Sequence, residues 1–320
     1  METIPVIVDA LSAQGRRNLA VRLVAEDGES LPAFDAGAHI DVHLANGLTR
    51  QYSIASAPHE RDHYLLCVKR EAASRGGSAY VHERLRVGDR LTVSLPRSLF
   101  GLQDGGHALL IAGGIGITPL LSMAETLERT GTPFELHYYV RERIDTAFKA
   151  RWAAGFRHGA IHIHSSVDGD SPRDGLPDAL RTPHDNRQLY LCGPEGFMQH
   201  VTQAAREFGW QPAAIHQEAF APAVIEAAGD DEGFQVEVAS TGQVFEVSCG
   251  RTIAAVLLEG GVSVPLSCEM GICGACLTPV LDGVVDHRDT VQSDAEKRAP
   301  NQQIALCCSR ARTSRIVIDL

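Results

Sequence analysis

Three cysteines lie within nine residues of the chain, in the segment CEMGICGAC at 268–276. They have the spacing C-x4-C-x2-C, which is formed by Cys268, Cys273 and Cys276. Two adjacent cysteines, Cys307 and Cys308, follow further downstream. Zinc sites usually pair two C-x2-C knuckles and this segment has one, whereas C-x4-C-x2-C with a distant fourth cysteine is the plant-type [2Fe–2S] spacing. The pattern predicts a [2Fe–2S] cluster, with Cys307 as fourth ligand because it gives the loop closer to the plant-type length.

The residues between these cysteines fit a cluster held in a surface loop. Gly271 and Gly274 allow the backbone to approach the cluster sulfides closely and to donate N–H groups to them. A zinc clip and inert buried thiols remain alternatives for this loop, and Cys308 remains the alternative fourth ligand. The other cysteines have no such partners and are expected to be small buried hydrophobic side chains: Cys67, Cys192 and Cys249.

Length and composition limit the class of protein. A chain of 320 residues with 44% hydrophobic and 22% charged content has room for two or three cores, and we expect three. No apolar run reaches membrane-span length, and the start METIPVIVDA has neither a basic n-region nor an h-region, so we expect a soluble, cytoplasmic protein without membrane contact. Disulfides are disfavoured in that compartment, which favours metal binding by the cysteines. The net charge of −11 argues against a nucleic-acid partner.

The elements that must position these residues change in type along the chain. Residues 1–102 contain short alternating segments such as AHIDVHL and YLLCVKR between turns, which predict an antiparallel β-barrel. Residues 103–226 alternate apolar strands with helical stretches, which indicates a doubly wound parallel α/β sheet. Residues 227–232 end an Ala- and acid-rich stretch and are predicted to be a linker. Residues 233–320 are predicted to form a small β-rich module with a helix at TIAAVLLEGG.

A glycine loop in the second of these segments suits a pyrophosphate. IAGGIGITPL places Gly113, Gly114 and Gly116 directly after a strand, with Thr118 and Pro119 as expected N-cap and first residue of a helix. The motif alone is weak because the third glycine of the dinucleotide fingerprint is absent and glycine-rich turns are common packing devices. A second loop, LCGPEGFM, supports binding, because both loops face the carboxyl edge of one sheet, where ligands bind in this fold class.

The order RQYS, GGIGITP, CGPEGFM and a C-terminal cysteine loop resembles the phthalate dioxygenase reductase family, which includes reductase components of vanillate demethylase and related Rieske oxygenase systems. The resemblance covers essentially the whole chain. It implies an FMN-binding barrel, an NADH-binding domain of the ferredoxin–NADP reductase type, and a β-grasp [2Fe–2S] ferredoxin domain that passes electrons to a terminal Rieske-type oxygenase.

The resemblance also assigns flavin-binding residues. The R-x-Y-S motif falls on Arg50, Gln51, Tyr52 and Ser53, and a second segment falls on Val68, Lys69, Arg70, Gly76, Gly77 and Ser78. Arginine can pair with the FMN phosphate, tyrosine can pack on the flavin, serine can hydrogen-bond its ring edge, and a glycine-lined helix start suits the phosphate. Thr118 and Phe220 match positions near the isoalloxazine ring. An ordinary strand and a solvated loop remain the alternatives for these segments.

The nicotinamide side is assigned in the same way. The resemblance places Gly113, Gly114 and Gly116 at the pyrophosphate and Cys192, Gly193 and Pro194 near the nicotinamide. Arg141 and Glu142 follow the second strand, where the ribose would be recognised. An acid there favours NADH and arginines favour NADPH, so the residues leave the choice open, and the family relation favours NADH.

Together these features predict an NADH-dependent oxidoreductase that passes electrons through FMN and the cluster to an oxygenase. No residue is needed as a general acid or base, so none of the 14 histidines is expected to be catalytic. A reductase for a cytochrome or soluble acceptor is the first alternative, and a non-enzymatic redox sensor is the second. We expect a monomer, and an acidic docking face for the oxygenase that includes Asp282, Asp286 and Asp289.

Overall fold

The structure is a computed structural model of the chain, and it describes residues 2–72, 74, 76–103, 105–184, 186–220 and 233–320. The chain divides into two compact units, Met1–Phe220 and Ala221–Leu320. The predicted linker, 227–232, lies outside the described residues.

The first half of unit 1 is an antiparallel six-stranded sheet in the order β4-β3-β6-β1-β2-β5. Its strands are β1 (Thr3–Ala13), β2 (Asn18–Ala25), β3 (His39–His43), β4 (Thr49–Ser53), β5 (Tyr64–Lys69) and β6 (Arg90–Ser94), and a short helix α1 (Gly77–Glu83) lies between β5 and β6. Alternate side chains point inward, as Val6 and Val8 of β1 show by being fully buried. This sheet encloses its own hydrophobic core, as the alternating pattern predicts.

The second half of unit 1 is a parallel five-stranded sheet in the order β11-β10-β7-β8-β9. Its strands are β7 (His107–Gly113), β8 (Phe134–Val140), β9 (Gly159–Ser165), β10 (Arg187–Gly193) and β11 (Ile215–Ala219), and its helices are α2 (Ile117–Thr130), α3 (Lys149–Ala154), α4 (Asp178–Arg181) and α5 (Glu195–Glu207). Leu110 packs in the core layer that contains α2, and Leu109 packs in the layer that contains α5. Both faces of the central strands are therefore covered, which explains their nearly continuous apolar sequences.

Unit 2 combines a five-stranded sheet, in the order β13-β12-β18-β14-β16, with a two-stranded β15-β17 pair. Its elements are β12 (Phe234–Val238), β13 (Gln243–Val247), α6 (Ile253–Glu259), β14 (Leu277–Asp282), β15 (Val285–Asp286), α7 (Asp294–Lys297), β16 (Gln303–Ala305), β17 (Arg310–Ala311) and β18 (Arg315–Ile318). The hydroxyl of Thr252 accepts the Ala255 N–H and caps α6, whose Leu257 is buried in the core of this unit. The cysteine loop connects α6 to β14.

The predicted sheet types are confirmed: an antiparallel sheet, a doubly wound parallel sheet and a small α+β module. The boundary at residue 102 stays a prediction; β6 ends at Ser94 and β7 begins at His107. Among the described residues, no helix combines the length and the apolar character that a membrane span requires.

Candidate cofactor sites

Four of the cysteines form one buried group in unit 2. The side chains are no more than 8% exposed in any of the predicted ligands, Cys268, Cys273, Cys276 and Cys307. The thiol of Cys268 is in hydrogen-bond contact with those of Cys273 and Cys307, and that of Cys276 with Cys307. Cys308 is half-buried, and its Sγ contacts the carbonyl oxygen of Ala305 at 3.9 Å. Burial and thiol contacts thus favour Cys307 over its neighbour as the fourth member.

The backbone of the loop also turns toward these sulfurs. Met270 N–H donates to Cys268 Sγ at 3.3 Å, and Ala275 N–H donates to Cys273 Sγ at 3.5 Å. Gly271 has a φ of +72°, and a Cβ there would lie 2.5 Å from Cys308 Sγ. Hydrogen bonds from the neighbouring thiols lower the pKa of Cys268 far below its ordinary value. Two pairs of thiols surrounded by N–H donors fit a [2Fe–2S] cluster, in which each iron takes two thiolates.

Asp289 forms buried hydrogen bonds in the segment that follows the cysteine loop. Its side chain is fully buried, it accepts the Gln292 N–H at 3.0 Å, and it accepts the Ser309 hydroxyl at 3.3 Å. Asp286 is half-buried and pairs with Arg288 at 2.8 Å. The prediction of an acidic face was therefore wrong for Asp289, because its carboxylate satisfies buried donors, and Asp282 is the member that remains exposed.

In unit 1, the two predicted flavin segments meet beside α1. A Cβ on Gly77 would lie 2.6 Å from Cγ and 2.8 Å from Nε of Arg50, so the arginine crosses the first turn of α1 at close range. Gly76 has a φ of +90°, a conformation that favours glycine. The Ser78 hydroxyl accepts the Glu71 N–H at 3.2 Å. A guanidinium and a glycine turn are thus brought together at one point of the barrel, as a bound phosphate requires.

The other residues of these segments have different surroundings. Tyr52 is half-buried next to Gln51, and burial raises its pKa to about 12, so the phenol stays neutral. Val68 packs in the barrel core, and its carbonyl oxygen lies 2.8 Å from His82 Nε2. Arg70 is exposed and pairs with Glu83 at 2.5 Å. The structure therefore leaves Val68 no free side chain for a ligand.

A buried carboxyl group that the sequence reasoning missed lies where the barrel meets the parallel sheet. Ser53 Oγ donates to Glu218 Oε2 at 3.4 Å, and Glu218 Oε1 lies 3.9 Å from His39 Nδ1. Cys192 is opposite Glu218 in the pairing of β10 with β11 and is fully buried. Burial raises the pKa of Glu218 to about 8, so the carboxyl group holds a proton at neutral pH. The sequence signal that could have identified it is an acidic residue, Glu218, near the carboxyl end of β11.

The two glycine loops pack directly against each other. A Cβ on Gly116 would overlap the carbonyl group of Cys192 and lie 2.7 Å from the nitrogen of Gly193, and a Cβ on Gly193 would lie 3.0 Å from Cα of Gly113. Close packing therefore explains Gly116 and Gly193 by itself. Gly114 differs, because it has a φ of +57° and open space where a Cβ would lie.

The predicted N-cap of α2 was wrong. The helix begins at Ile117 with Gly116 as its N-cap, and Thr118 lies inside the first turn, where its hydroxyl donates to the Ile115 carbonyl at 3.1 Å. A 3₁₀ turn over Gly114–Gly116 runs straight into the helix, so no extended capping residue intervenes. Pro119 is accommodated because the first N–H groups of a helix have no intrahelical acceptor. Phe220 packs on the core shared by α2 and β10.

A cleft of about 840 Å³ opens at the carboxyl edge of the parallel sheet. Its walls include the predicted residues Gly113, Gly114, Arg141, Pro194 and Lys69, and also Arg16, Arg17, Tyr139, Glu142, Asp145, Arg173 and Phe197. This volume is in the range of small-molecule and cofactor sites. Cationic side chains at a glycine-lined sheet edge suit a ligand that carries phosphates.

Ion pairs fix one side of this cleft. Arg16 binds Glu142 at 2.7 Å and Asp145 at 3.0 Å. Two carboxylates thus lie next to Arg141, which is exposed in the cleft wall. The predicted ribose-reading pair is present at the cleft, and its acidic member is held in position by the barrel.

Comparison with known proteins identifies relatives of unit 2 and of the whole chain. The sequence model of the 2Fe-2S iron-sulfur cluster binding domain matches residues 236–312. The chain is 45% identical to a vanillate O-demethylase oxidoreductase of a Pseudomonas species over 99% of this chain and 100% of the relative. A solved phthalate dioxygenase reductase, described as modular for electron transfer from pyridine nucleotides to [2Fe-2S], has 34% identity and a TM-score of 0.76 over 99% of this chain and 98% of that one.

The chain belongs to the phthalate dioxygenase reductase family. It is an oxidoreductase, and the resemblance predicted from its motifs is confirmed. An intact type IV self-sufficient cytochrome P450 monooxygenase also contains a similar structure, with a TM-score of 0.84 and 34% identity over 99% of this chain and 41% of that one. A similar fold therefore occurs within a larger protein.

Proposed function

We propose that this member of the phthalate dioxygenase reductase family passes electrons from NADH through FMN and its [2Fe–2S] cluster to a separate Rieske-type oxygenase. The observation that carries the proposal is the presence of all three sites on one chain: the cleft and the Arg50 turn in unit 1, and the four buried thiols in unit 2. The names of the relatives, which include a vanillate O-demethylase oxidoreductase and a phenoxybenzoate dioxygenase subunit, support an oxygenase partner.

When bound, these cofactors supply the redox chemistry, since nicotinamide gives a hydride, flavin converts electron pairs to single electrons, and the cluster carries one electron. The chain supplies binding and orientation. The guanidinium of Arg50 would hold the FMN phosphate beside Gly76 and Gly77. The backbone at Gly113 and Gly114 would hold the NADH pyrophosphate, because open space lies next to Gly114 at the cleft.

Glu218 and Ser53 would hold a proton next to the proposed flavin site in unit 1. The Ser53 hydroxyl already donates to Glu218 Oε2, and the neutral carboxyl group has a proton to offer at pH 7. Cys192 stays a neutral thiol because burial raises its pKa, so it adds no charge next to this pair. A neutral carboxyl group can donate a hydrogen bond where negative charge develops on a bound flavin.

Glu142 and Asp145 favour NADH over NADPH. Both carboxylates line the cleft, and Arg16 fixes them. A ribose 2′-hydroxyl can donate to such a carboxylate, whereas a 2′-phosphate would be repelled by it. Arg141 and Arg173 line the same cleft and oppose this effect, and the family relation supports the choice of NADH.

Reduction of two different electron acceptors tests whether electrons leave the protein through the [2Fe–2S] cluster. Native protein and a Cys307→Ser variant would be supplied with NADH and either ferricyanide or a purified Rieske-type oxygenase. The proposal predicts that the variant keeps ferricyanide reduction and loses oxygenase reduction, whereas Cys308→Ser keeps both. Equal oxygenase reduction by native protein and Cys307→Ser would contradict an outlet through the cluster.

A cytochrome P450 is the second candidate acceptor, because a self-sufficient cytochrome P450 monooxygenase contains a region that is similar to this chain. Faster NADH-driven reduction of a separate P450 than of any Rieske-type oxygenase would favour it.

A further inference from the structure

Three potential metal ligands lie together on the parallel sheet, away from the cysteine loop. Glu135, His137 and His162 bring ligand atoms within 4.8 Å of one another. His137 on β8 is directly opposite His162 on β9, and Glu135 is on the same face because it lies two residues before His137. Helix α5 packs over β10 and β11. Tyr139, on the same face of β8 as His137, still contacts Phe197 of that helix, whereas His162 on the edge strand β9 is exposed.

A chain of hydrogen bonds fixes the orientation of the His137 ring. His164 Nδ1 lies 2.9 Å from each carboxylate oxygen of Asp170, so this nitrogen is the donor. In a neutral His164 ring the Nε2 atom is then an acceptor, and it lies 3.0 Å from His137 Nδ1, which must donate. The remaining nitrogen of His137, Nε2, therefore carries a lone pair.

No hydrogen-bond donor among the described residues contacts His137 Nε2. His137 is 6% exposed, and its Nε2 has no hydrogen-bond partner among the residues that the structure describes. It faces Glu135 Oε2 at 3.6 Å, which is too long for a hydrogen bond and puts two acceptors against each other. Two facing acceptors repel each other and leave a buried polar atom unsatisfied, and a cation between them removes both costs.

The distance between these atoms suits a bound ion. Tetrahedral zinc, with bonds of about 2.0–2.1 Å, holds its ligand atoms about 3.4 Å apart. The second carboxylate oxygen of Glu135 lies 3.7 Å from Arg187 Nη2, which leaves Oε2 directed at His137. The ring of His162 stacks on His137 with centroids 4.7 Å apart, and a ligand atom of His162 lies within 4.8 Å of those of Glu135 and His137.

We propose that Glu135, His137 and His162 form a site for a divalent transition-metal ion, with zinc as the best match. Two imidazole nitrogens and one carboxylate oxygen supply three ligands, and water completes the tetrahedron. His164 and Asp170 support the ring of His137, as outer hydrogen-bond partners support metal-binding histidines generally. The positive charge of Arg187 limits the affinity. The site is independent of the proposed function, since it shares no residue with the cysteine loop or the glycine loops.

Zinc titration by isothermal calorimetry tests the site. The full chain with its iron content verified would be compared with the His162→Ala and Glu135→Gln variants, and His59→Ala would be the control because His59 is an exposed histidine on the barrel. The site predicts one zinc ion per native chain, binding at least about 10-fold weaker in both variants, and native binding in the control. His162 is exposed, so its replacement leaves the fold intact.

Two results would overturn the proposal. The first is the absence of zinc binding to the native chain. The second is equal binding by native protein, His162→Ala and Glu135→Gln, which would place the ion on other groups such as the exposed thiol of Cys249.

Discussion

Replacement of Glu218 by glutamine should change how the stability of unit 1 depends on pH. The side chain is 14% exposed, and burial raises its pKa from 4.5 to about 8. The native state therefore keeps a proton that the unfolded state loses above pH 4.5, so native stability is complete below that pH and falls as pH rises toward 8. Glutamine keeps an acceptor for Ser53 and cannot ionise, which removes this dependence.

The magnitude follows from the two pKa values. At about 1.4 kcal/mol per pH unit, the interval from 4.5 to about 8 corresponds to about 3–5 kcal/mol of native stability lost as the pH rises across it. Thermal unfolding of native protein and Glu218→Gln at pH 5, 6, 7 and 8 measures the difference. Glu207→Gln, at an exposed glutamate of α5, is the matched control and should follow the native curve. Parallel curves for native protein and Glu218→Gln would refute the assignment of a buried, protonated carboxyl group.

Four substitutions test the glycine loops and the cysteine loop. Gly116→Ala should destabilise unit 1 by about 2–4 kcal/mol in thermal unfolding, because the new Cβ meets the backbone of Cys192, whereas Gly114→Ala, which points into open space, should cost about 1–2 kcal/mol for its left-handed backbone. An equal loss in both variants would argue against the packing of the two loops. Cys307→Ser should abolish iron binding as measured by iron content per chain, and Cys308→Ser should retain it; the reverse result would assign the fourth ligand to Cys308.

Features that depend on local sequence were predicted well. The apolar runs of β7, β8 and β10 indicated a parallel sheet because both faces are covered, and the alternating segments at β3 and β5 indicated the barrel sheet. The helix over Ile253–Glu259 was also predicted, and it carries its own threonine cap. The four predicted ligand cysteines lie together in unit 2, and their role as cluster ligands stays a prediction. The prediction that Cys249 is buried was wrong, because its side chain is exposed.

Features that depend on contacts distant in sequence were missed. Glu218 meets Ser53 only after β11 is added to the parallel sheet and the barrel closes next to it, so no local pattern identifies the pair. Asp289 looked like a surface acid, but its carboxylate receives hydrogen bonds from Ser309 and Gln292 within the folded loop. Thr118 looked like an N-cap because the 3₁₀ turn before it cannot be distinguished from an extended loop by composition.

An anaerobic titration with NADH, followed by absorbance and electron paramagnetic resonance with the flavin released and identified, tests the central claim most directly. The account predicts that NADH bleaches a flavin band and produces a reduced [2Fe–2S] signal, that this signal is lost in Cys273→Ser, and that it persists in Cys308→Ser. Bleaching of the flavin without a cluster signal, in protein with full iron content, would contradict electron transfer from NADH to the cluster.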